Sequence, residues 1–178
     1  MFQSLRGGSE QSLEALASAE LVFLDLEHAL VTKFQEQYVT RRGVTQFLGH
    51  YHAARKPFVV SSEWRREQAG QLIKELGWEE YVDFALGDSH IGLEGVKRIR
   101  NLGRGRAHFR PVPRNFLLVG VDSKLNQDSC EAYGIPLITI PEVRVGERDR
   151  FNFASLYQGE GLRGYARRAR AVLAGRVF

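Results

Sequence analysis

Four positions in this 178-residue chain have the types and the spacing of a phosphoryl-transfer site. Asp25 follows the apolar run Leu21-Val22-Phe23-Leu24, Ser61 follows Phe58-Val59-Val60, and Asp122 follows Val119-Gly120-Val121, with Lys97 between the last two. Phosphoryl transfer needs an in-line nucleophile, a divalent cation on phosphate oxygens, and positive charge or hydrogen bonds for the charge that spreads over the equatorial oxygens. Asp25 is the candidate nucleophile, Asp25 and Asp122 are candidate ligands of Mg²⁺, and Ser61 and Lys97 are candidates for gripping phosphate. A plainer reading stands beside each. An acid after a strand often caps the next element, Ser61 also suits a helix start, and Lys97 beside Arg98 and Arg100 has the look of a solvated lysine.

These residues can meet only if the elements before them are parallel strands that end on one edge. Each apolar run is short, β-branched or aromatic, and bounded by polar residues, which is how a buried parallel strand reaches its C-terminal loop. Helical patterns fall between them. Ser12 to Glu20 is rich in Ala, Leu and Glu; Thr45 to Ala54 places Phe47, Leu48 and Tyr51 on one face and ends before Lys56-Pro57; Glu67 to Leu76 carries Ala69, Leu72, Ile73 and Leu76 and stops at Gly77. Tyr81 to Leu86 reads as a strand and Gly95 to Leu102 as a helix. After the strand Phe116–Val119 come a helix over Asn126–Tyr133, stopped at Gly134, and a last strand over Pro136–Ile140. Alternating strands and helices predict an α/β fold of three layers around a mainly parallel sheet.

Composition sets the outer limits. The length suits one domain with a sizeable core, no apolar run approaches the ~20 residues needed to cross a bilayer, and one cysteine, Cys130, allows no internal disulfide. The residues from Met1 to Gly8 lack the apolar stretch of a secretory signal. A soluble intracellular protein is expected, in the cytoplasm or, as the alternative, an organellar matrix. The net charge of +4 is concentrated in two clusters: Arg104, Arg106, Arg110 and Arg114, then Arg163, Arg167, Arg168, Arg170 and Arg176. Either could meet phosphates of RNA or an acidic protein assembly, or be a solvated face. Three segments follow: a helical lead-in (1–20), the α/β domain (21–141), and a basic extension (142–178) with an amphipathic helix over 161–174.

Taken in order, the motifs resemble those of haloacid-dehalogenase-like (HAD-like) phosphatases. That family's first motif, Asp-x-Asp-x-Thr-Leu after an apolar strand, is matched by Asp25-Leu26-Glu27-His28-Ala29-Leu30; its second by Phe58-Val59-Val60-Ser61; its lysine by Lys97; its last acid-bearing strand end by Val119 to Ser123. Within the superfamily the likeness is to the branch of RNA-polymerase C-terminal-domain and NLI-interacting-factor-like phosphatases, through Leu26 to Val31, Arg42-Gly43 with Phe47-Leu48, Val96-Lys97, and Leu102-Gly103-Arg104. The resemblance implies a Rossmann-like HAD fold and a Mg²⁺-dependent phosphomonoesterase that works through a phosphoaspartyl intermediate on Asp25. Glu27 would be the acid/base, and its main-chain carbonyl a metal ligand.

Three departures bear on that activity. Glu27 stands where the family has aspartate, Ala29 where it has a threonine that braces the loop, and Val121 where relatives often place one of two paired acids. That leaves Asp122 as the metal carboxylate, with Asp128 as a more distant alternative. Asp25 and Ser61 are 36 positions apart, as are Ser61 and Lys97, and each interval is taken up by predicted elements, so no sizeable cap fits. An open site suits a phosphorylated macromolecule, with a small phosphomonoester as the other substrate. The departures keep a second function in view: a catalytically silent HAD-like subunit that binds RNA or a protein assembly through its arginines.

Overall fold

The structure is a computed structural model, and it describes residues 4–82, 84–86, 115–144 and 146–158. Six strands form one sheet: β1 (Ser4–Arg6), β2 (Leu21–Asp25), β5 (Phe58–Ser61), β6 (Phe84–Leu86), β7 (Phe116–Val121) and β8 (Leu137–Ile140). They lie in the order β1-β8-β7-β2-β5-β6, and every pairing is parallel. On β2, Val22 and Leu24 point to one core and Leu21 and Phe23 to another, and all four are fully buried. A strand covered on both faces has no polar side to show, which is why its sequence is a continuous apolar run.

Helices supply the covering layers. Leu16 of α1 (Glu10–Ser18), Phe47 and Tyr51 of α2 (Val44–Ala53) and Ile73 of α3 (Arg66–Glu75) pack into the larger core with Val22, Leu24 and Val60. Across the sheet, Cys130 of α4 (Lys124–Tyr133) joins Ile135, Phe23, Val59 and Leu118. This is the three-layer α/β fold that the alternating pattern predicts. Among the described residues no helix is long and apolar enough to cross a membrane.

Element boundaries moved where a cap or turn intervened. Helix α1 begins at Glu10 because Ser9 Oγ accepts from the Ser12 N–H at 3.2 Å, and α4 at Lys124 because Ser123 Oγ accepts from that of Asn126 at 3.2 Å. The strand expected from Tyr81 begins only at Phe84: the N–H groups of Tyr81 and Val82 turn back to the Trp78 carbonyl at 2.9 and 3.2 Å. The helices expected over 95–102 and 161–174 lie outside the described residues.

Elements absent from the sequence reading lie between Asp25 and α2. Leu26–Leu30 forms one π-helical turn, and β3 (Val31–Phe34) pairs antiparallel with β4 (Gln37–Thr40) in a separate hairpin. The flanking segments also join the body of the fold. Strand β1 pairs with β8, and Phe153 and Leu156, in a 3₁₀ turn over Phe153–Leu156, are fully buried in the larger core.

Candidate active site

The sheet brings the three strand-end candidates to one edge. From β2 the chain moves outward to β5 and β6, then returns to β7 on the other side of β2. Such a reversal of strand order leaves a crevice at the C-terminal ends of the two neighbouring strands, where open α/β sheets bind ligands. Asp25 ends β2, Ser61 ends β5 as its register partner, and Asp122 follows β7 directly. All three line one cleft of about 540 Å³ with Glu27. Asp128 is not among the described lining residues. Lys97 and both arginine clusters lie outside the described residues.

Asp25 is 8% exposed, and both carboxylate oxygens are held. Oδ1 accepts from the main-chain N–H of His28 at 3.3 Å, so Asp25 does cap the π-helical turn, as the plainer reading had it. Oδ2 accepts from Asn126 Nδ2 at 3.1 Å, and the same amide donates to the Val121 carbonyl at 3.0 Å. With acceptors on both sides, the amide can only face them with its NH₂ group. Gly120 makes room for this: a Cβ there would lie 2.9 Å from Asn126 Nδ2 and 3.5 Å from Asp25 Oδ2. Burial pushes the Asp25 carboxyl above its ordinary range, against the pull of His28 and Asn126 in the other direction.

Ser61 is 6% exposed beside Asp25 and does not cap α3, which begins five residues later with Arg65 as its cap residue. Asp122 is exposed, and its Oδ1 accepts from Gln127 Nε2 at 2.6 Å. Glu27 lines the cleft with its carboxylate tied to the loop after β5. Its Oε1 accepts from Ser62 Oγ, from the Glu63 N–H at 2.9 Å and from the Trp64 N–H at 3.2 Å, so its carboxylate latches the loop that leaves β5. Its Oε2 is shut off from solvent, with no hydrogen-bond partner among the described residues. The methylene that distinguishes Glu27 from an aspartate provides this reach.

Sequence reasoning missed the residue that braces the turn. The Arg41 side chain is fully buried: its Nε and Nη2 meet the two Asp149 oxygens at 2.9 and 3.0 Å, and Nη1 donates to the carbonyls of Ala29 at 3.2 Å and His28 at 3.4 Å. Burial pushes the Asp149 carboxyl up, but its hydrogen bonds to Arg41 and that residue's charge outweigh this and hold it below its ordinary range. No local pattern could have pointed to Arg41, because its partner is 108 residues away. Asn126 carried a faint signal, four residues after Asp122 at the start of a helix.

The donor set can be tested against Mg²⁺. That ion is commonly held by one or two carboxylates, keeping waters and substrate oxygens in its remaining places. Among the described residues no three His, Cys, Asp or Glu side chains are placed to cage a metal, but Asp25, Asp122 and the Glu27 carbonyl do not require such a cage. The charge balance also fits: Asp25, Glu27, Glu63, Asp122 and Glu142 line the cleft against Lys124 as the one described lysine or arginine. A phosphate dianion would be repelled there without a cation.

Neither a family model nor a curated protein matches the sequence. Solved structures do. Protein tyrosine kinase A of Mycobacterium tuberculosis matches with a TM-score of 0.51 at 15% identity, over 81% of this chain and 99% of that one. A hypothetical protein of Xanthomonas campestris gives 0.50 at 12%, over 88% and 93%. A probable YrbI-family phosphatase of Pseudomonas syringae gives 0.50 at 10%, over 93% and 98%. The fold is HAD-like. At these identities the likeness extends to the fold alone, and one of the neighbours is named a kinase and another a phosphatase, so function has to be argued from the site.

Proposed function

We propose that this chain is a phosphatase that uses Asp25 as nucleophile, through a phosphoaspartyl intermediate. One observation carries the reading: a buried carboxylate at the end of a central strand faces a cleft at the strand-order reversal, with Ser61 in register beside it and Asp122 just past the end of the neighbouring strand β7. Asp25 would be oriented by the amide of Asn126 and the N–H of His28, which leave its carboxylate fixed before substrate arrives. Ser61 and Lys97 would bind the phosphoryl oxygens. Asp25, Asp122 and the Glu27 carbonyl would hold Mg²⁺, which when bound neutralises phosphate charge in this acidic cleft.

The substrate is proposed to be an accessible phosphate on a macromolecule. What supports this is the space before Ser61, filled by the π-helical turn, the short hairpin and α2 without a cap, together with the sequence likeness to the C-terminal-domain phosphatase branch. Arg104, Arg106, Arg110, Arg163, Arg167 and Arg170 would then meet the acidic partner. The latched position of Glu27 favours a second reading, a silent HAD-like subunit that keeps the scaffold and binds RNA or a protein assembly.

A Mg²⁺-dependent assay on an aryl phosphate and a phosphopeptide, comparing wild type with Asp25→Asn, separates the two. Turnover that Asp25→Asn abolishes is expected. Equal background rates, with no binding of beryllium fluoride, would overturn the enzyme reading in favour of the subunit.

A further inference from the structure

The latch on Glu27 bears on which phosphates the site can turn over, and the inference rests on the phosphatase reading above. Protonating a leaving oxygen requires an acid free to reach it. Glu27 is tied to the loop after β5 by the Ser62 hydroxyl and two main-chain N–H groups, and its other oxygen is closed off from water. Releasing it would take the acceptor from the buried Ser62 hydroxyl, at about 1–3 kcal/mol, while the Trp64 N–H keeps its 3.0 Å bond to Ser62 Oγ. Ser62 is 2% exposed and cannot easily find water in exchange. His28, the other proton carrier of this turn, directs Nε2 at Glu63 Oε1, 3.5 Å away.

We propose that the site acts on phosphates whose leaving group departs without a proton: acyl phosphates first, then phenolic esters of low leaving-group pKa, with alkyl phosphates the poorest. In the first step an Asp25 oxygen bonds to phosphorus as the bond from phosphorus to the leaving oxygen breaks. The bonding pair stays on that oxygen, which leaves as a carboxylate or phenolate. In the second step a water oxygen bonds to phosphorus, the bond to Asp25 breaks, the carboxylate recovers its pair, and the water proton passes to solvent. With Glu27 tied to the loop, the second step also lacks it as a base, so the phosphoaspartyl species accumulates during turnover.

The test is a leaving-group series on the full chain with Mg²⁺: acetyl, 4-nitrophenyl, phenyl and ethyl phosphate, with acid-quench measurement of phosphorylated protein. The expected result is a steep fall in kcat/KM along the series, the drop to ethyl phosphate exceeding the ~10²- to 10⁴-fold that a positioned acid is worth. A burst of phosphoprotein on acetyl phosphate, absent in Asp25→Asn, accompanies it. Glu27→Asp, too short to hold the Ser62–Trp64 loop, raises the ethyl phosphate rate relative to the acetyl phosphate rate. Comparable kcat/KM for ethyl and acetyl phosphate in the wild type overturns the proposal, because some group is then supplying the proton. No turnover of any of the four, with no beryllium fluoride binding, overturns the phosphatase reading itself and this inference with it.

Discussion

Replacing Arg41 with methionine keeps most of the side-chain length and removes the charge from the strut beneath the proposed nucleophile loop. Three acceptors lose the Arg41 donor at once: the Asp149 carboxylate and the carbonyls of His28 and Ala29. Removing one member of a buried ion pair costs about 3–5 kcal/mol, because the other charge stays behind uncompensated. Asp149 is 16% exposed and keeps its bond from the Phe151 N–H at 3.0 Å, so the lower end applies. For a domain of this size, about 3 kcal/mol corresponds to a fall of roughly 6–12 °C in Tm. The loss should depend on pH with a defined sign. Arg41 lowers the folded pKa of Asp149, so its contribution is fully present above the unfolded value of about 3.9 and disappears as pH falls through the folded value. Urea denaturation of wild type and Arg41→Met at pH 7 and at successively lower pH measures both effects. Adding Asp149→Leu to Arg41→Met should recover part of the stability, since an apolar pair leaves no stranded charge. A loss under about 1 kcal/mol at pH 7, or a double variant less stable than Arg41→Met, would refute the strut as an energetic unit.

Three further outcomes are expected. Gly120→Ala pushes a methyl against the Asn126 amide and breaks its hold on Asp25, so unfolding free energy should drop by about 1–3 kcal/mol and beryllium fluoride affinity should fall. Wild-type stability, measured in metal-free buffer, should fall as pH rises above the unfolded value of Asp25, because burial raises the folded carboxyl, and Asp25→Asn, uncharged throughout, should lack that fall. Cys130 is fully buried and its thiol is pushed up to about 12, so a thiol reagent should label it only at the rate of unfolding.

Legibility followed distance along the chain. The central strands could be read within a residue or two because a parallel strand buried on both faces leaves a continuous apolar run, and Asp25, Ser61 and Asp122 could be picked out because each follows such a run. The hairpin could not be read. Its turn uses Gln35 at φ +54°, without the glycine or asparagine that signals such a backbone in sequence, and its strands are half exposed. The π-helical turn depends on Asp25 capping it and on Arg41 holding its carbonyls, and the second of these comes from tertiary structure. Glu27 was visible as a departure from aspartate, but only the structure says where its added length reaches. Arg41 and Arg42 look alike in sequence, yet one is buried and the other exposed, and the difference lies in Asp149.

The two ends of the described chain close the fold over long distances. Strand β1 reaches the sheet only through β8, where Thr139 Oγ1 donates to the Leu5 carbonyl across 134 residues, and Tyr51 OH donates to the Leu156 carbonyl across 105. On a ribosome, therefore, the open edge of β8 forms its pairing with residues made long before it. The larger core stays missing a wall until Phe153 and Leu156 have emerged. A nascent chain halted just after the last strand would display apolar surface where the finished protein has none. Its folding should be late and abrupt, governed by loop closure more than by helix formation.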